Sequence, residues 1–267
     1  MSILKIEHHF KQLGAGPPVV FLHGSYATSS TWKKMVGQLA ETHLCIAIDL
    51  PGHGGSPGPD DFSDPTVETE LSFVEKIVTE LTYEPIHLVG HSYGGVVALA
   101  LALDGRLPVV EMTLFEPVAV SALGSTDAIQ PMASLHTFLL KYRESVRQNT
   151  PHACGQVIDF WCGEGAFAQL PGFIKDSMEP MTANNIRHWD LCVSIDSSSA
   201  ILQKCLIPTR IVYGTDSHPL AHAIAEKLHS QMSQSKTYII EGASHFLVTS
   251  HVDECVAVVR DRSLFKK

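Results

Sequence analysis

The chain has 267 residues, 45% hydrophobic and 18% charged, with a formal net charge of -9. That length allows one large domain, or one domain carrying an insertion, with enough buried core that neither disulfides nor a metal are needed for stability. The acidic balance argues against a nucleic-acid binder, because phosphate neutralisation needs clustered Lys and Arg, and beyond the pairs Lys33-Lys34 and Lys266-Lys267 no basic cluster appears. A small-molecule substrate is the expected partner. The six cysteines are scattered without a C-x-x-C pair and read as reduced, mostly buried thiols. The first nine residues lack the long apolar stretch of a signal peptide, and no later run is long enough to span a bilayer, so a cytoplasmic location is expected.

Taken in chain order, short apolar runs at residues 19–22, 44–48, 86–89, 109–115, 210–213 and 237–240 read as buried strands, each bounded by Gly, Pro or a charged residue. His8-His9 is placed in an N-terminal strand. Amphipathic segments lie between the runs; the clearest is Val67, Leu71, Val74, Val78 and Leu81, opened by Asp64 and Pro65. A final helix is expected over 252–260. Alternation of this kind implies an α/β fold, a mostly parallel sheet flanked by helices. From 118 to 206 the strand rhythm stops, and helical patterns mix with Pro, Gly and aromatic residues such as Trp161, Phe167, Phe173 and Trp189. Strand-like runs resume at 207–214, so the chain divides into a core of residues 1–117 and 207–267 and an inserted helical cap of residues 118–206.

The strongest chemical signal is Gly90-His91-Ser92-Tyr93-Gly94-Gly95, G-x-S-x-G between a strand and a helix. So sharp a turn forces small residues around a strained serine, lifts the Ser92 hydroxyl above the sheet edge, and sets the Tyr93 amide at a helix N-terminus where it can stabilise an oxyanion. A serine hydroxyl is nearly inert at neutral pH and needs a base to take its proton. His245 sits in the short loop 242–246 just after a late strand, within reach of such a nucleophile, whereas His251 stands at the start of the final helix and reads as structural. His218 and His222 have the i, i+4 spacing of a helical metal pair without a supporting ligand pattern, so no metal is expected. A carboxylate should orient the imidazole. Asp216, after the run 211–215, is preferred, and Glu116, after 113–115, is the alternative acid. The second oxyanion donor is expected from His23-Gly24-Ser25-Tyr26, with Gly24 turning the backbone so that the Ser25 amide faces the same spot as that of Tyr93, and Tyr26 lining the entrance.

These motifs, together with Asp49-Leu50-Pro51-Gly52-His53-Gly54-Gly55-Ser56 and Gly242 to Phe246, give a sequence that resembles the α/β-hydrolase superfamily, in its branch of small capped enzymes with a serine nucleophile. The resemblance implies a mainly parallel eight-stranded sheet, no cofactor, and hydrolysis through an acyl-enzyme. Family members often carry the acid as G-x-x-D, whereas Gly214-Thr215-Asp216 is one residue shorter; in some relatives the acid follows the preceding strand instead, where Glu116 stands. With serine rather than aspartate as nucleophile, dehalogenase and epoxide hydrolase chemistry is disfavoured, because an alkyl-enzyme ester requires a carboxylate. Cleavage of a small carboxylic ester is expected. An apolar pocket is suggested by Phe160, Trp161, Phe167, Met178, Met181 and Trp189, with Tyr26, Trp161 and Trp189 as substrate contacts. The alternatives are a carbon-carbon hydrolase or lyase using the same residues and a non-catalytic ligand receptor. The oligomeric state is left open.

Overall fold

The computed structural model describes residues 9–124 and 128–263. His8 and the terminal lysines therefore lie outside the described residues. His9 precedes the first strand rather than lying in it. Seven strands form one sheet: β1 (Phe10–Leu13), β2 (Pro18–Leu22), β3 (Leu44–Ile48), β4 (Ile86–His91), β5 (Val109–Phe115), β6 (Thr209–Gly214) and β7 (Ser235–Ile240). Their order is β1-β3-β2-β4-β5-β6-β7, with β1 antiparallel to β3 and every other pair parallel. The sheet, expected to have eight strands, has seven among the described residues, of which β1 alone is antiparallel.

Eleven α-helices and four short 3-10 turns accompany them among the described residues. Flanking the sheet are α1 (Lys33–Leu39), α2 (Glu68–Leu81) and α3 (Tyr93–Asp104), and the segment between β5 and β6 carries α4 (Ile129–Arg147), α5 (Gly155–Cys162), α6 (Gly172–Met178), α7 (Thr182–Ser194) and α8 (Ser199–Leu202). After β6 come α9 (Pro219–Gln231), α10 (Leu247–Ser250) and α11 (Val252–Arg260). None is long and apolar enough to cross a membrane. The six cysteines are all free.

The apolar runs are continuous because both faces of the sheet are covered. On one face Val20, Leu22, Ile46, Ile48, Leu88 and Leu114 pack with Leu71 and Val74 of α2, the buried length of α3, and Leu220 and Ile224 of α9. On the other, Val19, Phe21, Cys45, Ala47, Val89 and Val212 pack with Met35 and Leu39 of α1 and Val256 and Val259 of α11. The chain leaves β2 for β3 on one side and then crosses to β4 on the other. Loops at such a switch point diverge and leave a crevice at the carboxyl ends of the strands.

The helices between β5 and β6 are fastened by α7 to α2 and to the segment before it. Arg187, 1% exposed, reaches Asp61 with Nε–Oδ1 at 2.5 Å and Nη2–Oδ2 at 2.8 Å, and Glu70 of α2 with Nη1–Oε1 at 2.5 Å and Nη2–Oε2 at 3.0 Å. The amide of Asn184 donates to the Pro51 carbonyl at 2.9 Å. Removing one partner of a buried ion pair strands the other's charge. Arg187→Met is therefore expected to cost about 3–5 kcal/mol of unfolding free energy, read as a lowered urea midpoint; a loss below about 1 kcal/mol, the level of a surface pair, would show that the insertion does not depend on it.

Candidate active site

Ser92 sits between β4 and α3 with φ 54° and ψ -120°, a left-handed backbone that a serine adopts only under constraint. The constraint is close packing of the β2 loop on the turn. A Cβ on Gly94 would lie 2.3 Å from the Leu22 carbonyl oxygen, and one on Gly24 would lie 2.9 Å from the Ser92 Cβ. Gly24 is thus required for space, and it is Tyr26, at φ 59°, that takes the left-handed turn in this loop.

His245 joins the nucleophile to a buried acid. The Glu116 carboxylate is acceptor-only, so the imidazole Nδ1–H donates to Glu116 Oε2 at 2.7 Å and leaves Nε2 as acceptor for the Ser92 hydroxyl at 3.0 Å. The other carboxylate oxygen, Oε1, accepts from the Gly214 amide at 3.1 Å and from the Ser217 hydroxyl. Burial alone would raise the pKa of Glu116, but the bonds from His245, Ser217 and Gly214 hold it below the ordinary carboxylate value. Glu116, at φ 44°, is itself left-handed.

The preferred acid, Asp216, is not at this position. It is exposed, its carboxylate accepts from the neighbouring Thr215 hydroxyl at 3.3 Å, and its amide is committed to the Ala243 carbonyl at 2.9 Å. The physical reason is the short turn after β6: three residues beyond Gly214, at the fourth position of G-x-x-D, stands Ser217, which points inward and binds Glu116. Because β5 lies directly beside β4, with His91 opposite Phe115, Glu116 leaves its strand one position from the nucleophile.

Ser25, Tyr26, Ser92, Tyr93, Trp161, Trp189 and His245 all line one cavity of about 260 Å³. Tyr93 opens α3, so its amide has no acceptor within the helix, and the Ser25 loop leaves β2 beside β4, with Leu22 opposite Gly90. The Trp161 ring stacks on the His245 imidazole, centroids 4.7 Å apart and planes 14° from parallel, and Trp189 lies parallel to Trp161 at 6.1 Å. The Tyr26 hydroxyl bonds to Tyr142 at 2.7 Å, which in turn donates to Asn185 at 2.8 Å, so its ring rather than its oxygen is offered to the cavity. Met178 also lines the cavity, whereas Phe160 packs against Phe138 and His218 and Phe167 against His152.

Three further residues belong to this constellation, two of them outside every motif and one, His91, inside the nucleophile motif but at a position it leaves unspecified. His188 of α7 bonds through Nδ1 to Ser25 Oγ at 2.7 Å and stacks on Tyr93 at 3.7 Å, with His53 at 5.2 Å. Burial, then the nearby His53 and Arg187, push its pKa well below the usual imidazole value. His91 donates from Nε2 to the His245 carbonyl at 2.8 Å and so pins the loop that carries the base. Ser217 is the third. The i, i+4 pair is used locally: His222 donates to the Gly214 carbonyl at 2.9 Å, and His218 accepts from the Leu220 amide at 3.1 Å. His251 bonds to Ser250 at 2.9 Å, away from the cavity.

A serine in a strained strand-to-helix turn, a buried acid and a histidine, on the loops after β4, β5 and β7 at the carboxyl edge of such a sheet, are the arrangement of the α/β-hydrolase fold. The chain belongs to the alpha/beta hydrolase family, whose sequence model matches residues 19–258. It is 25% identical over 244 residues to a monoacylglycerol lipase of Bos taurus, covering 88% of this chain and 72% of that protein. Among solved structures, the esterase from Exiguobacterium antarcticum shares the fold with a TM-score of 0.74 at 19% identity over 95% of each chain. MenH from S. aureus gives 0.74 at 20% identity over 94% of this chain and 96% of that one.

Proposed function

We propose that the chain is a serine hydrolase that cleaves a small carboxylic ester through an acyl-enzyme on Ser92. The observation that carries this reading is the hydrogen-bonded series Glu116, His245, Ser92, at 2.7 and 3.0 Å, opening on the cavity. In it, His245 takes the Ser92 proton as Oγ attacks the ester carbonyl, and the amides of Ser25 and Tyr93 receive the oxyanion. Collapse of that intermediate expels the alcohol, which takes the proton back from His245; a water then repeats the sequence and releases the acid. Glu116 fixes the tautomer and stabilises the imidazolium. Tyr26, Trp161 and Trp189 form apolar walls against the acyl or alcohol part, and residues 118–206 act as the cap that closes the site. The lipase and esterase likenesses support this class of reaction.

The test is a fluorophosphonate probe followed by peptide mapping. One equivalent of adduct per chain on Ser92 is expected, with turnover across aryl esters of graded acyl length falling once the acyl group outgrows the cavity. Folded protein that takes no adduct at Ser92, while Cys and surface Ser residues are equally unlabelled, would favour a ligand receptor.

A further inference from the structure

Away from the cavity, the turn between α4 and α5 and the short helical turn after α6 bring together three donors of different chemistry: His152, Cys154 and Glu179. Cys154 Sγ lies 3.5 Å from Glu179 Oε2, and His152 Nδ1 lies 3.8 Å from the same oxygen. The donor atoms of all three fall within 4.8 Å of one another. None of these residues lines the cavity. Cys154 is fully buried, whereas the side chains of His152 and Glu179 are 45% and 43% exposed, so the group is closed behind by sulfur and open to water in front.

The spacing suits one ion. Tetrahedral Zn²⁺ holds sulfur at about 2.3 Å and nitrogen or oxygen at about 2.0–2.1 Å, which sets neighbouring donors about 3.3–3.6 Å apart. The sulfur-oxygen separation already meets this, and the one ligand that must close in, His152, has a side chain 45% exposed. Thiolate with imidazole and carboxylate selects Zn²⁺ and similar borderline-soft ions over Mg²⁺ and Ca²⁺, which prefer oxygen alone. We propose that His152, Cys154 and Glu179 bind a single divalent ion of the Zn²⁺ type, with water in the fourth position. Binding replaces the thiol proton: the S–H bond breaks, a sulfur-metal bond forms, and one proton is released to solvent. Without an ion the thiol stays protonated, pushed up to about 12 by burial and by the Glu179 carboxylate.

Such an ion would act on the cavity wall. Cys154 packs against Ile158 of α5 and Met178 of α6, and both of those line the cavity. Joining Cys154 to Glu179 therefore clips the start of α5 to the end of α6 behind the wall they form. The site stands independently of the proposed hydrolase reaction, since it shares no residue with Ser92, His245 or Glu116.

The experiment uses the full chain, freed of metal by chelator and dialysed against Zn²⁺ or Co²⁺. One equivalent of Zn²⁺ retained per chain is expected, and the Co²⁺ form should show a thiolate-to-cobalt charge-transfer band. The band should vanish in Cys154→Ala. Glu179→Gln, an exposed and nearly isosteric change that leaves folding intact, should weaken Zn²⁺ binding by more than about tenfold, the loss seen when even an outer partner of a metal ligand is removed. His245→Gln should bind as the parent does. Retention well below one equivalent, a charge-transfer band that survives in Cys154→Ala, or unchanged affinity in Glu179→Gln would each overturn the site.

Discussion

Glu116→Gln is expected to lower ester turnover by about 10⁴-fold, the size of effect that follows when a triad imidazole is held in the wrong tautomer, while Asp216→Asn leaves it within about threefold. The difference follows from the hydrogen bonds. Glu116 Oε1 accepts from the Gly214 amide and the Ser217 hydroxyl, so a glutamine would keep its one carbonyl oxygen on that side. Its NH₂ group would then face His245 Nδ1, which must become the acceptor. The imidazole proton moves to Nε2, and the ring can no longer take the proton of Ser92. Burial and backbone contacts are otherwise kept, so the loss should fall on kcat with little change in the thermal midpoint. Asp216 faces solvent, and its amide bond to Ala243 survives the change to asparagine. Steady-state kinetics on one aryl ester decide the matter: a larger loss in Asp216→Asn than in Glu116→Gln would reassign the acid.

All six apolar runs became strands: β2, β3, β4 and β6 are buried along nearly their whole length, and a parallel strand covered on both faces leaves a continuous apolar block in the sequence, while the edge strand β7 is only partly buried and shows as the shorter run 237–240. The edge strand β1 left no such block. Of Phe10, Lys11, Gln12 and Leu13 only Phe10 is partly buried, so its pattern is that of any exposed segment. The meeting of Ser92 and His245 was legible because a tight turn and a loop after the last strand impose local rules on neighbouring residues. The carboxylate beside His245 was not, since two carboxylates followed adjacent strands, and the choice between them rested on whether a turn one residue short could aim Asp216 inward. In the structure Ser217, a residue with no signature of its own, takes the inward position and Glu116 lies beside His245. His188 and Arg187 are harder still. They lie on a helix of modest amphipathicity, and their roles come from partners more than a hundred residues away, Ser25 and Glu70.

Lowering the pH from 7 to 5 should destabilise the fold by several kcal/mol, because it buries neutral histidines that the unfolded chain would protonate. His23 shows why protonation is resisted. Its Nδ1–H donates to the Gly24 carbonyl at 2.8 Å, and its Nε2 accepts from the Leu50 amide at 3.0 Å, so a second ring proton would break the latter bond. Burial, then the proximity of His53, pushes its pKa down to about 3; burial, then His245, does the same for His91. Burial lowers His53, His87 and His188 as well. The sign follows from proton counting: below about pH 6.5, the ordinary imidazole value, the unfolded chain binds protons that the folded one refuses, so stability is full above that pH and falls until the folded values are reached. Between pH 7 and 5 each of His23 and His91 accounts for about 2 kcal/mol, and the other three act in the same direction. Against a total of about 5–15 kcal/mol for a typical domain, that is enough to approach acid unfolding near pH 5. Glu116, held below the ordinary carboxylate value, loses its contribution only at lower pH and does not mask the effect. Urea midpoints at pH 7, 6 and 5 should fall steeply at constant slope, and His91→Gln should make the decline shallower by one residue's share. A midpoint that holds steady or rises over this interval would mean that these rings are charged in the native state, and the buried stack of His53, His188 and Tyr93 would then need a counter-charge beside it.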